Sequence, residues 1–303
     1  MTYRIGISHS IPASGSDKLF LINAGAEAYV TEAVDTKGNG HFYVAFSRFF
    51  SHPASADGIW VKDLTANLPP TRAPESGTNT ASALLQNVAF ANSTGAHGGV
   101  FAAYCSNASP CSRLLLWRVG TKKPMVVPHG SGARFVDLSS GPGGRLWVTW
   151  WNESTDVFYT VRTNKADTRF GPVQSYNVSK RFFTVNTIAI GGGSFGRLDC
   201  VIAGTSLSLA ATILATQSLT ALAVLPGTAT IGNTKTHQVT FTVTDAGDPV
   251  AGATVTVDGH SARTSASGKA TITFPKGTRP KTYGVSVTAP NYFPAKGEVV
   301  VTT

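Results

Sequence analysis

Charge is scarce in this chain: Asp, Glu, Lys and Arg make up 14% of its 303 residues, against roughly a quarter in ordinary soluble domains. With 31 glycines and many serines and threonines, that composition points to a turn-rich β protein rather than a helical one. Basic runs are equally lacking. The net charge is +9, yet the longest basic runs are Lys122-Lys123 and Lys180-Arg181, so no cationic stripe tracks a phosphate backbone and specific nucleic-acid binding is excluded. Attraction to acidic glycans or cell walls fits scattered charge better. Cysteine is limited to three residues, too few for a disulfide scaffold. Cys105 and Cys111, in "YCSNASPCSR", flank a short loop between two strands and are the candidate disulfide, which implies an oxidising compartment. Their spacing does not suit zinc, and the seven histidines are scattered without metal-ligand spacing, so no metal site and no cofactor is expected.

Long hydrophobic runs are lacking too, with one apparent exception. Residues 205–225, "TSLSLAATILATQSLTALAVL", carry no charge, but Leu207, Leu209, Ala211, Ile213 and Ala215 alternate with polar residues at period two. The reading is therefore two strands with a turn at Gln217-Ser218, and no transmembrane segment. The opening "MTYRIGISHSIPASG" lacks the basic start, apolar centre and small-residue cleavage site of a signal peptide.

What the chain does have is an internal echo. "GNGHFYVAFSR", "GGVFAAYCSN", "GGRLWVTWWN" and "FGRLDCVIAG" share a turn glycine at Gly40, Gly99, Gly144 and Gly196, spaced about 50 residues apart as in a blade-type repeat. Apolar residues follow two, four and six positions later: Phe42-Val44-Phe46, Phe101-Ala103-Cys105, Leu146-Val148-Trp150 and Leu198-Cys200-Ile202. A preceding strand ("YVTEAVD", "NVAFANS", "RFVDLSS", "VNTIAIG") and a following one ("GIWVKDL", "RLLLWRVG", "VFYTVRTN", "SLAATILATQ") accompany each unit. Lys62, Arg118 and Arg162 take matching places in the first three following strands. Residues 3–6, "YRIG", copy "WRVG" of residues 117–120, so the chain opens on the third strand of a unit. This pattern predicts an all-β fold: a β-propeller of about four to five blades, complete or truncated, over residues 1–217. Residues 218–303 hold further short alternating strands, such as Val239-Phe241-Val243, Val255-Val257 and Val285-Val287, separated by Gly/Asp/Pro turns, and predict a β-sandwich.

The "PVAGATVTV", "TSASGKATITF" and "YGVSVTAPNYFPA" pieces resemble bacterial Ig-like and carboxypeptidase regulatory-like (transthyretin-like) modules, spacers and adhesive units of secreted and surface proteins. The first part resembles sialidase-like (BNR) propellers, whose blades carry an Asp box of the form S-x-D-x-G-x-T-W/F. "TNKADTRF" (163–170) and "SADGIW" (55–60) are degenerate forms of it. That resemblance implies an arginine triad, a tyrosine nucleophile with a glutamate partner, and an acid/base aspartate. Arg4, Arg48, Arg134 and Arg145 are available, with Glu32 and Asp137 on inner strands, but no spacing selects a triad.

Other motifs weaken on inspection. "GGSFG" (192–196) fits G-x-S-x-G around Ser194, but a strand follows where that motif needs a helix. Asp245 and Asp248 suit a turn better than a Ca²⁺ site. Of the three tryptophans of "LWVTWWN", Trp150 falls in the shared apolar column and reads as core. Trp147 and Trp151 point the other way, and Trp151 is the candidate for contact with a sugar ring. The candidate ligand-binding residues are thus Trp151, Arg134, Arg48, Glu32 and Asp137. The function expected is extracellular or cell-surface binding of a glycan or protein at the propeller's loop face, with a sialidase-type hydrolase or its remnant, and a purely structural surface protein, as alternatives.

Overall fold

The computed structural model describes residues 4–10, 17–23, 27–36, 41–49, 57–66, 68–76, 88–106, 111–152, 154–177, 184–192, 196–206 and 211–303, the side chains of 4–42, 47–49, 184, 186, 187 and 212 excepted. The chain is all-β, and no helix among these residues is long and apolar enough to cross a membrane. It opens with a two-stranded ribbon of β1 (Arg4–Ser10) and β2 (Asp17–Asn23). Sheet one follows as a meander of β3 (Glu27–Thr36), β4 (His41–Phe49), β5 (Gly58–Asp63) and β6 (Thr71–Arg72). Sheet two repeats the order with β7 (Val88–Ser93), β8 (Gly99–Cys105), β9 (Leu114–Arg118) and β10 (Met125–Val126). Sheet three is β11 (Ala133–Ser140), β12 (Leu146–Asn152), β13 (Val157–Arg162) and β14 (Gln174–Asn177). Sheet four contains β15 (Thr184–Gly191), β16 (Arg197–Thr205) and β17 (Ala211–Ala221).

The remainder forms two sheets. One joins β18 (Ala223–Leu225), β20 (His237–Asp245), β21 (Asp248–Pro249) and β24 (Lys269–Phe274). The other joins β19 (Thr228–Gly232), β27 (Ala295–Thr302), β25 (Lys281–Thr288), β22 (Thr254–Val257) and β23 (His260–Arg263). They share one core, in which Val239, Phe241 and Val243 meet Val255, Val257, Val285 and Val287. The two-residue β26 (Tyr292–Phe293) leaves this sandwich and pairs in parallel with Thr220 and Ala221, becoming the fourth strand of sheet four.

The four echoed segments are β4, β8, β12 and β16, the second strand of each sheet. All their described apolar-column residues are buried, from Val44 and Phe46 to Leu198, Cys200 and Ile202; the Phe42 side chain lies outside the described residues. A strand buried on both faces needs sheets on both sides, and successive sheets supply them. Ala45, Ile59 and Val61 pack on Ala102, Tyr104 and Trp117, Phe101 and Leu116 on Leu146, Val148 and Trp150, and Trp147, Trp151 and Phe158 on Leu198, Cys200 and Ile202. The first strands β3, β7, β11 and β15 lie next to one another in that order. Three of them, β3, β11 and β15, are bulged. In β11 the irregularity includes Phe135 at φ +49°, and a bulge there increases the local twist of the strand.

Two sequence expectations change. The turn at Gln217-Ser218 is absent: β17 runs through both residues, pairing Gln217 with Asp199 and Ser218 with Leu198. The polar pair is accommodated because Ser218 is buried and its Oγ accepts a hydrogen bond from the Tyr176 hydroxyl at 2.8 Å. Lys62, Arg118 and Arg162 are not on one rung either, for they face Val44, Phe101 and Trp147, which lie four, two and three residues past their turn glycines.

The turn glycines are close-packing devices as well as bends. Gly144 has φ +78°, and a Cβ there would stand 2.1 Å from the backbone of Gly95 in the corresponding turn of sheet two. Left-handed strain and a backbone clash act together. Gly144→Ala is therefore expected to destabilise the chain by more than about 2 kcal/mol, read as a lower urea midpoint with an unchanged m-value.

Candidate functional site at the 163–170 turn

The degenerate box at 163–170 is a tight turn joining β13 to β14. Thr163 and Phe170 close it as an isolated antiparallel bridge. Asn164 organises its inside: the side-chain Oδ1 accepts the N–H groups of Thr168 at 2.8 Å and Arg169 at 3.2 Å. Asp167, at φ +52°, turns its carboxylate inward, where it accepts from the Thr163 hydroxyl at 2.6 Å. Its other oxygen lies 2.5 Å from Ser93 Oγ of sheet two, which is also 2.6 Å from the Gly144 carbonyl. One serine hydrogen cannot serve both acceptors. Burial raises the Asp167 pKa, against the opposing pull of the Ser93 and Thr163 hydroxyls, Arg145 and His97. In the protonated form Asp167 donates to Ser93, and Ser93 donates to Gly144. "SADGIW" does not occupy the equivalent place, since it leads into β5, a third strand, instead of leaving one.

Clefts open on both sides of this turn. The first, of about 620 Å³, lies where sheets three and four meet the sandwich, and Arg145, Arg162, Lys165, Pro249, Asn291 and Tyr292 are among its lining residues. Its guanidinium groups are already committed. Asp245, 0% exposed, receives Arg162 Nη2 in an ion pair, Arg145 Nη1 at 3.4 Å and the Tyr292 hydroxyl at 3.2 Å. Arg145 Nη2 reaches Asp248 at 2.7 Å, and the Lys165 backbone N–H donates to the same carboxylate at 2.9 Å. Arg162 also donates to the Gly196 carbonyl at 3.2 Å and lies over the Trp147 ring at 5.1 Å. Asp245 and Asp248, expected as turn residues or a weak Ca²⁺ hint, thus bind arginines across the junction. Arg145, available for a sialidase triad on sequence grounds, is bound there too.

The second cleft, of about 400 Å³, lies between sheet two and the same turn. Phe101, Leu116 and Met125 floor it, and His97, Arg118 and Lys123 stand around it. Arg118 donates to the Gly98 carbonyl at 3.0 Å. The β9–β10 turn is held by the Trp117 indole N–H on the Thr121 carbonyl at 2.9 Å. None of these three basic side chains is in an ion pair among the described residues. Asp167, the carboxylate of the lining, faces the hydroxyls of Ser93 and Thr163. The sequence reading missed this cleft because its basic residues come from the β7–β8 turn and from the end of β9 with the turn after it, beside the distant 163–170 turn.

Of the candidate ligand residues, those with described side chains, Trp151, Arg134 and Asp137, line neither cleft. Trp151 is 6% exposed and packs between sheets three and four, its ring 5.9 Å from Phe135, so it offers no face to a sugar. Trp150 stacks on Tyr159 at 5.4 Å. Arg134 pairs across the ladder with Trp151 and lies over Phe135 at 5.8 Å. Asp137 joins sheets three and four, accepting the Ile190 N–H at 2.8 Å. Burial raises its pKa, against the N–H groups of Leu138 and Ile190. Glu32 and Arg48 lie on β3 and β4, with side chains outside the described residues, as is Ser194. Cys105 and Cys111 are joined by a disulfide with a Cα–Cα distance of 5.3 Å. Cys200 is buried, and its thiol is pushed up to about 12, chiefly by that burial. No group of three or more His, Cys, Asp or Glu suited to a metal ion occurs among the described residues. The connections at 51–56, 107–110 and 207–210, at the end of the meanders where ligand-binding loops were expected, lie outside the described residues.

No protein-family model and no curated protein sequence matches the chain. Among solved structures, one similarity is to SGBP-B of the Bacteroides ovatus mixed-linkage glucan utilization locus, in complex with a mixed-linkage heptasaccharide. It shows 13% identity and a TM-score of 0.24 over 92% of this chain and 71% of that one. At that TM-score nothing about this chain is drawn from it.

Two outcomes follow for the site. Asp245→Ala leaves the buried Arg162 guanidinium without its carboxylate while Arg145 keeps Asp248, at an expected cost of roughly 3–5 kcal/mol. Calorimetry is expected to split one transition into two as the sandwich uncouples from sheets three and four. Asp167→Asn mimics the protonated aspartic acid, its amide donating to Ser93. Because the folded pKa of Asp167 is raised above 3.8, the stability of wild type matches the variant below the ordinary carboxylate range and falls behind it as pH rises through the raised value. Thermal midpoints of both proteins from pH 3 upward check this, and parallel curves contradict it.

Proposed function

We propose that this chain is a non-enzymatic binding protein of an extracellular or cell-surface setting: a sialidase-like propeller arc carried rigidly by an Ig-like sandwich, with an acidic glycan as its ligand. Support for the arc comes from four successive meanders with adjacent first strands and buried second strands, although the apolar column of β8 faces the following sheet where those of β12 and β16 face the preceding one. The Cys105–Cys111 disulfide supports an oxidising compartment. The observation that carries the ligand reading is the contrast between the clefts. In the junction cleft the arginines are neutralised by Asp245 and Asp248. In the cleft of sheet two, His97, Arg118 and Lys123 surround an apolar floor that Asp167 also borders, and none of the three is in an ion pair among the described residues. An apolar floor accepts the C–H face of a sugar ring, and the Arg118 and Lys123 cations at its rim accept a carboxylate or sulfate.

Calorimetric titration with a polyuronic oligosaccharide, a sulfated oligosaccharide and a neutral glucan tests this. The anionic probes are expected to bind, more weakly as salt rises. Lys123→Ala is expected to weaken them about tenfold, the loss of one charge-assisted hydrogen bond. Equal binding of the neutral glucan contradicts the ligand class. Turnover of a fluorogenic sialoside contradicts the non-enzymatic reading and restores the hydrolase.

A further inference from the structure

The sandwich meets sheets three and four at the end where β20 finishes with Asp245. Its opposite end, where β20 begins with His237 paired to Phe274, carries a third cavity, of about 210 Å³. The cavity opens between the two sheets, with Ile272 and Phe274 of β24 on one side and Val257 of β22 and Tyr283 of β25 on the other. All four side chains are buried, and the Phe274 and Tyr283 rings meet edge to face at 6.1 Å. The loop joining β24 to β25 adds Thr278 and Arg279 to the lining. That loop is fastened along its length: the Lys276 N–H donates to the Thr236 hydroxyl at 3.3 Å, the Gly277 N–H to the Asn233 carbonyl at 2.8 Å, and the Thr278 hydroxyl to the Pro275 carbonyl at 2.6 Å. The Tyr283 hydroxyl, from the floor of the cavity, donates to the Arg279 carbonyl at 3.0 Å. A wall held in this way is formed before any ligand arrives.

Charge in the sandwich is sorted by end. Asp245 and Asp248 bind arginines at the junction. Around the far cavity stand His260 and Arg279, neither of them in an ion pair among the described residues. Asp258 is the carboxylate of the lining, and Lys281 approaches it at 3.6 Å while lying 4.3 Å over the Tyr283 ring. Lys281 offsets Asp258, which leaves the Arg279 charge in excess.

We propose that this cavity binds a small carboxylic acid with an aromatic or branched apolar body. The body lies against Val257, Ile272, Phe274 and Tyr283, and the Arg279 guanidinium takes the carboxylate. Volume sets the size of the ligand: at about 210 Å³ the cavity falls below the roughly 300–1,000 Å³ of drug-sized sites, so it admits one ring or a branched chain and no oligosaccharide. Charge sets the sign, since an amine would meet Arg279 and Lys281 as like charges. The inference stands apart from the acidic-glycan reading, which concerns the other domain.

Amide NMR of the full chain, titrated with benzoate to about 10 mM, a range suited to so small a ligand, is expected to shift Ile272, Thr278 and Arg279 along one saturable curve. Benzamide, the same shape without the charge, binds roughly tenfold more weakly. Arg279→Gln, at an exposed position, weakens benzoate about tenfold, the loss of one charge-assisted hydrogen bond. Asp258→Asn, also exposed and at a φ of +50° that asparagine tolerates, tightens benzoate about twofold, the scale of one exposed charge. These opposite signs separate contact with the ligand from a general disturbance of the fold. Lys123→Ala leaves the curve unchanged. Absence of saturable shifts overturns the proposal, as do equal binding of benzamide, shifts confined to the cleft of sheet two, or a benzoate affinity indifferent to Arg279→Gln. Binding of the anionic oligosaccharides by the Arg279→Gln variant leaves the preceding section's reading intact, so the two fail separately.

Discussion

A carboxylate sealed from water is costly unless cations reach it, and Asp245 is sealed completely where the sandwich meets sheets three and four. Everything around it is arranged to supply those cations. Arg162 ends β13 with its guanidinium over Trp147, so the buried indole serves as a floor for the ion pair. Arg145 emerges from the Pro142–Gly144 turn, whose glycines take φ +68° and +78°. The bend that closes the β11–β12 hairpin therefore also aims the arginine. Tyr292 adds its hydroxyl from β26, the strand that completes sheet four. Strand pairing and ion pairing reinforce each other there. The junction is specified by geometry as well as charge, because hydrophobic packing alone would tolerate several docking angles.

The parts of the fold legible beforehand were those encoded locally. A glycine turn followed by apolar residues at period two was enough to align β4, β8, β12 and β16, because each strand's burial is written in its own alternation. The preceding and following strands came with them. Non-local pairing was not legible. Nothing in "NYFPA" announces that Tyr292 and Phe293 leave one domain to extend the sheet of another. Arg145 and Asp245 stand 100 residues apart and each looks ordinary in its own context. The polar Gln217-Ser218 pair imitated a turn for the same reason: the hydroxyl that satisfies Ser218 belongs to Tyr176, 42 residues earlier.

The tryptophans show how composition misleads about sites. Three indoles in five positions look like a platform, yet Trp150 faces sheet two and Trp147 and Trp151 face sheet four. None of their N–H groups finds an acceptor among the described residues, a sign that these rings serve by bulk. Sheet three sits in the middle of the series and must fill the space on both sides, and large rings at alternate positions do so. The cleft of sheet two draws its polar lining instead from turns that look unremarkable: His97, Lys123 and Thr168 come from three separate ones.

One turn thus separates a cleft whose arginines are ion-paired from one whose Arg118 and Lys123 are not, among the described residues. Asn164 and Asp167 stiffen it from inside, and its two sides face different neighbours: Lys165 looks toward the sandwich, and Ala166 to Thr168 toward sheet two. On the sandwich side, incoming carboxylates from β20 and β21 consume the positive charge and convert a recess into a joint. On the other side no acidic strand arrives. Which arginines are ion-paired is therefore set by where the sandwich attaches, and Asp245, which receives both Arg145 and Arg162, fixes that attachment foremost.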